Sequence, residues 1–265
     1  MTASESNPFG QIKTYEQQAF ARLTAYLEAL DPDGWVEQSY CTDWLVYQVV
    51  SHIGSGSRIG GLRVRAWVGS GEPVSRDVMQ QTWGYFDALQ PHEMLAAYRD
   101  AAQEYLSVMA STPDDAGTRE VEGFAGKRPL WAYQLARTWE LGCHSWDVYV
   151  TRDRGARLDP LAVALLAPNL HYMNLPLDRE RGSALKTNPV GFRLRDSANG
   201  YTLDPTAERP RLQKAGADAP LIISGPDEEI IRFVSGRHFL PGSRPELSVV
   251  EGSDQDLSQL RRAFR

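Results

Sequence analysis

The pattern of apolar residues changes character once along this chain, just after RDRGARL at 152–158. Before that point apolar side chains recur at helical spacing. After it, short alternating segments appear among Gly, Pro and Asn. A chain of 265 residues is long enough for two cores. The switch therefore predicts a helical unit over 1–155 and a small α+β unit over 156–265.

Within the first unit, residues 11–30 (QIKTYEQQAFARLTAYLEAL) read as a helix that stops before the turn DPDGW. A second helix is expected from CTDWLVYQVVSHI, with Thr42 or Asp43 as its N-cap, running through several glycines to AWVGSGEP. A third covers about 77–111 with a break near Pro91, and a fourth, PLWAYQLARTWELGCHSWDVYV, covers about 129–150. Four long helices on short connections predict an antiparallel bundle, in which sites form from side chains on facing helices. In the second unit a helix over about 159–172 precedes VGFRLRD and GYTLD, which alternate like strands around the turn SANG. LQKAG, PLIISG and ELSVV add strands. PDEEIIRFVSG, acidic in its first turn and closed by glycine, and SDQDLSQLRRAF add helices.

Several function classes fall away. The net charge is −6 and no basic block stands out, which argues against a nucleic-acid partner. No apolar run has the length of a membrane span. The N-terminus, MTASESNPFGQ, lacks the basic and apolar regions of a signal peptide, so a cytoplasmic location is expected. Two cysteines, Cys41 and Cys143, make no disulfide framework and fit a reducing compartment.

One stretch carries chemistry. In WELGCHSWD (139–147), Glu140 and His144 lie four apart and share a helix face, with Asp147 on nearly the same side. Leu135, Trp139 and Trp146 imply that much of this helix is buried, and a buried carboxylate needs a partner. An ordinary ion pair would supply one, and so would a divalent cation. His52, late in the apolar stretch WLVYQVVSHIG, is by itself a core or hinge histidine; set against the fourth helix it offers a second imidazole. Two imidazoles and a carboxylate with an open fourth position is the pattern of catalytic zinc, and it also suits other first-row metals. Cys143 is rotated by about 100° from His144, so a thiolate ligand is not expected there. Cys41 precedes His52 by eleven residues, about 16 Å along a helix, too far to share a metal. The chain therefore reads as lacking a nucleophilic thiol of its own at this site. His92, His171 and His238 read as structural or exposed.

With Trp35, CTDWLVYQVVSHI and RTWELGCHSWDVYV in view, residues 11–155 resemble the mycothiol-dependent maleylpyruvate isomerase family, within the DinB-like metal-binding bundles. The resemblance implies that His52, Glu140 and His144 hold a divalent metal, nominally zinc, and that Asp147 supports the site or the catalysis. The C-terminal part is similar to the family's sterol-carrier-like domain. Through FVSGR this nominates Arg237 as an anion-binding residue facing the metal. The implied chemistry is that of a metal-activated thiolate of mycothiol acting on a small, acidic electrophile. The thiolate either adds to an alkene, permits rotation and leaves, or attacks carbon and stays as an S-conjugate. Gln48 stands where the family commonly has an acid, and the glycine-rich GSGSRIGG after His52 points to a different pocket wall. Two other readings stand beside this one: a metal hydrolase or lyase that activates water, and a metal- or small-ligand-binding protein without turnover.

Overall fold

The computed structural model describes residues 7–41, 43–123, 126–183, 185, 188–208, 210–216, 218–237 and 246–264. The chain divides into two compact units, Met1–Ala156 and Arg157–Arg265. In the first, the long helices are α1 (Phe9–Glu28), α3 (Val46–Val68), α5 (Pro91–Ser111) and α6 (Leu130–Tyr149). They pack in a ring in which α1 touches α5 and α6, and α3 touches the same two. The short α2 (Pro32–Trp35) follows α1, and α4 (Arg76–Asp87) packs on α3.

Local chemistry sets the helix ends. The expected third helix is two helices, because Pro91 has no N–H to give and disfavours helical backbone before it; Pro91 is the first residue of α5. Ser75 caps α4 by accepting from Val78 N–H at 3.2 Å. The expected start of α3 at Thr42 or Asp43 is corrected: its N-cap is Leu45, whose N–H donates to Gln48 Oε1 at 2.8 Å. Asp43 lies before the helix, and Thr42 is outside the described residues. The backbone there is committed to a turn, with Trp44 N–H donating to Cys41 O at 2.8 Å. Gln48, the departure from the family's acid, thus has work at the helix start. An unexpected hairpin, β1 (Glu120–Gly123) with β2 (Gly126–Pro129), leads into α6. Its strands are too short to show an alternating pattern.

The glycines after His52 do not interrupt α3. They let it be approached closely. A Cβ at Gly54 would come 2.5 Å from Phe86 Cε1 of α4, and one at Gly56 would come 2.7 Å from Arg137 Nη1 of α6. Into that second space Arg137 extends, donating through Nη2 to Ile53 O and to Ser57 Oγ, both at 2.7 Å. A guanidinium on α6 is thereby fastened to α3 beside His52.

The second unit is a five-stranded sheet in the order β5-β4-β3-β6-β7: Leu212–Lys214, Gly200–Leu203, Val190–Leu194, Leu221–Gly225 and Ser248–Glu251. β3 and β6 are parallel and the other pairs antiparallel. Its helices are α7 (Pro160–Leu166), α8 (Arg179–Ser183), α9 (Asp227–Val234) and α10 (Asp254–Ala263), with α9 and α10 packed on the sheet. The helix expected over 159–172 is α-helical only to Leu166; Pro168 lies in the 3-10 turn that follows, Ala167–Tyr172.

One carboxyl lies in the core of the bundle. Glu16 of α1 has no exposed surface. The Tyr105 hydroxyl of α5 is 2.7 Å from Glu16 Oε2 and 2.8 Å from Gln134 Oε1 of α6. One tyrosine proton cannot serve two acceptors. A protonated Glu16 completes the set, donating to Tyr105, which donates on to Gln134. Burial pushes this carboxyl up from 4.5 to about 8, against the hydrogen bond that Tyr105 would give the ionised carboxylate and the charge of Arg137.

Below about pH 4.5 the folded and unfolded chains both carry the Glu16 proton, and its contribution to stability is whole. As pH rises the unfolded chain ionises first, so stability falls until the folded carboxyl also ionises near pH 8. Denaturant unfolding across that window is expected to show wild type losing a few kcal/mol relative to Glu16→Gln, at up to about 1.4 kcal/mol per pH unit. Parallel pH profiles for the two proteins would contradict a protonated Glu16. At Gly54 the expected cost of Gly54→Ala is about 1–3 kcal/mol from overpacking against Phe86, read by the same titration at one pH. An unchanged midpoint would show that α4 gives way freely.

Candidate metal centre

The clamp at Arg137 brings the first half of α3 against the second half of α6, running antiparallel. His52 and Glu140 consequently meet although they are far apart in sequence: His52 Nε2 is 3.1 Å from Glu140 Oε2. One turn along α6, His144 Nε2 is 3.3 Å from the same oxygen. The two imidazole centroids are 4.8 Å apart. The donor atoms of His52, Glu140 and His144 all lie within 4.8 Å of one another. Glu140 is 47% exposed and His52 38%, so the corner opens to solvent, while His144 at 13% forms its inner wall. Burial alone would raise the Glu140 carboxyl; hydrogen bonds and charge from His144 and His52 outweigh it and hold the group well below the usual carboxylate range.

Asp147 stands behind the cluster. It has no exposed surface, and its Oδ2 is 2.9 Å from His144 Nδ1. A carboxylate on that nitrogen favours a proton at Nδ1 and turns Nε2 toward the corner with Glu140. Trp44 covers the imidazoles, its ring centroid 5.1 Å from that of His52 and 5.9 Å from that of His144.

Cys41 corrects the expectation that it lies too far along a helix to share a metal with the site. Its Sγ is 3.1 Å from Asp147 Oδ2 and 3.8 Å from His144 Nδ1. Cys41, His144 and Asp147 form a second group whose donor atoms lie within 4.8 Å of one another. Cys41 is not on the axis of α3: Trp44 N–H donates to Cys41 O at 2.8 Å ahead of the helix, and Cys41 packs against the end of α6. Burial pushes the Cys41 thiol up, with the Asp147 charge adding to that and the hydrogen bond to His144 opposing it. Cys143 is 2% exposed, in the core.

Of the other candidates, His92 lies on α5, and His171 and Arg237 belong to the second unit. His92 is exposed at the second position of α5. His171 lies in the 3-10 turn of the second unit, its ring 4.3 Å from that of Tyr172. His238 is outside the described residues. Arg237 follows α9 after Gly236, whose φ of +79° ends the helix. Arg237 Nη1 donates to Ser235 O at 2.7 Å, and its backbone N–H donates to Arg232 O at 2.8 Å.

A helical bundle with two imidazoles and a carboxylate converging at one end, followed by a small α+β unit, defines the class of this protein. Residues 17–149 match the family model described as the mycothiol maleylpyruvate isomerase N-terminal domain, and the chain belongs to that family of enzymes. Similar solved structures include a mycothiol-dependent maleylpyruvate isomerase, at 17% identity and a TM-score of 0.64, over 94% of this chain and 99% of that one. A histidine-to-alanine mutant of a mycothiol-dependent maleylpyruvate isomerase matches at 16% identity, with the same TM-score and coverage. At that identity the likeness speaks for the fold. Among curated proteins none matches the sequence. No helix among the described residues is long and apolar enough to cross a membrane.

The tie between Asp147 and His144 is directly testable. Imidazole nitrogen NMR is expected to show one His144 tautomer in wild type and a mixture in Asp147→Asn, where the charge on Nδ1 is lost. A single unchanged tautomer in the variant would show that Asp147 does not set it.

Proposed function

We propose that this chain is a divalent-metal-dependent enzyme that uses a low-molecular-weight thiol, mycothiol, for cis–trans isomerisation or S-transfer on a small, acidic electrophile. The observation that carries the proposal is the convergence of His52 Nε2, Glu140 Oε2 and His144 Nε2 on one solvent-open corner. The donor set fits the group: two neutral imidazoles and one carboxylate balance half of a divalent charge and leave room for an exogenous ligand. Zinc is the nominated ion on that ground. Held there, the cation would lower the pKa of a thiol brought to it and so supply a thiolate at neutral pH.

The chain's own residues do the rest. His52 and His144, on different helices, fix the corner from two sides. Glu140, kept ionised, holds the imidazoles in register between them. Asp147 orients His144 from the dry side, and the Trp44 ring packs against both imidazoles. Arg237 is assigned the recognition of an anionic group, because a guanidinium pairs with carboxylate in bidentate fashion. Neither isomerisation nor transfer draws on a nucleophile of the protein, in keeping with a Cys41 thiol that burial keeps protonated.

Metal analysis of the purified protein is expected to find one divalent ion per chain, lost in His52→Ala. Calorimetry with mycothiol is expected to show binding that chelation abolishes. Mass spectrometry across a panel of electrophiles then separates an S-conjugate from an isomer of unchanged mass. Absence of a stoichiometric ion overturns the site assignment. An ion present without thiol binding moves the water-activating reading ahead.

A further inference from the structure

The loop that enters α3 is built around its carbonyl groups. Gln38 Nε2 donates to Cys41 O at 3.0 Å and to Trp44 O at 2.9 Å, while Ser39 Oγ donates to Trp44 O at 2.7 Å. Tyr40 N–H donates to Asp147 O at 3.3 Å, so the loop is tied to the backbone of α6 as well. Held in this way, Cys41 presents Sγ to Asp147 Oδ2, the oxygen that also faces His144 Nδ1. Asp147 has no exposed surface, so water cannot complete the hydrogen bonding of its carboxylate. Protein donors have to do it, and their positions decide where the carboxylate points.

We propose that Cys41 is a positioning residue of the site: its S–H, donated to Asp147 Oδ2, aims the carboxylate at His144 Nδ1 and thereby fixes the tautomer and ring orientation that direct His144 Nε2 at Glu140. The proposal rests on the reading of His144 as a metal ligand for its consequence, but the alignment itself needs no metal. The thiol transfers no electron and forms no bond to sulfur or carbon. It acts through Asp147, and therefore through the outer partner of a ligand, where losses are typically about 10–100-fold in metal affinity. One step further out, the expected loss for Cys41→Ala is about three- to tenfold.

The test uses the full chain as wild type, Cys41→Ala, Cys41→Ser, Asp147→Asn and the double variant. The first readout is imidazole nitrogen NMR on metal-free protein. Cys41→Ala is expected to mix the tautomers of His144, and Cys41→Ser, which keeps a donor, to restore most of the single form. An unmixed His144 in Cys41→Ala overturns the proposal whether or not the protein binds metal. The second readout is cobalt(II) affinity by competition with a chromophoric chelator. Cys41→Ala is expected to weaken binding in the wild-type background and to change nothing in Asp147→Asn. The same loss in both backgrounds overturns the route through Asp147. A thiolate-to-cobalt charge-transfer band in wild type without added thiol, missing in Cys41→Ser, would make Cys41 a ligand in its own right and also overturns it. Failure of wild type to bind cobalt removes the metal reading alone, and the NMR result still decides the role of Cys41. Circular dichroism melting is expected to be alike for all variants; if Cys41→Ala does not fold, Cys41→Ser against Asp147→Asn carries the comparison.

Discussion

Register between α3 and α6 is the constraint on which the site depends. Sliding one helix past the other by a single residue moves a side chain by about 1.5 Å and turns it by about 100°. Either change would separate His52 from Glu140, which now stand 3.1 Å apart. Apolar packing alone tolerates small slips. Arg137 does not, because its guanidinium must find both Ile53 O and Ser57 Oγ, and Gly56 leaves room for it at one position along α3. The glycine-rich segment after His52 is therefore part of the mechanism of alignment. Gly54 does the same on the other side by admitting the Phe86 ring.

Much of this was legible in the chain. The 3.6-residue recurrence of apolar side chains located four long helices, and Glu140 with His144 followed from spacing alone. The change of period after RDRGARL precedes the five-stranded sheet, and the segments around SANG pair as β3 and β4. What escaped was tertiary. Cys41 was placed on the α3 axis because an N-cap at Thr42 or Asp43 is what local preference favours. A glutamine seven residues upstream of the true start decides otherwise, by gathering the carbonyls of Cys41 and Trp44. No periodicity in CTDW reports that turn. Glu16 escaped for a related reason: in QIKTYEQQAF it reads as one more polar residue, and its burial becomes visible only once Tyr105 and Gln134 arrive from other helices.

The two cysteines show how geometry sorts one chemistry into two roles. Cys143 is adjacent in sequence to His144, yet helical rotation turns it into the core. Cys41 lies on a distant loop and ends up against the partner of that same histidine. Proximity in sequence is a poor guide to proximity at a site whenever a turn intervenes, and a good guide to its opposite on a helix.

Three carboxyl groups of the bundle meet burial in three ways, and the comparison explains why the chemistry sits where it does. Glu16 lies among groups that can share protons, and burial keeps it neutral up to about pH 8. Glu140 is half exposed, and the hydrogen bonds and charge of two imidazoles outweigh its desolvation and keep it ionised. Asp147, wholly enclosed, is met by an imidazole and a thiol, both pointing at one oxygen. Of these three, the carboxyls that retain charge are those at the end of the bundle where α3 and α6 bring histidines together. A cation approaching from solvent meets an ionised carboxylate and two imidazoles there, and a neutral acid further in. A neutral Glu16 in the core and an ionised Glu140 at the corner together place the attraction for a cation at the end of the bundle where the histidines converge.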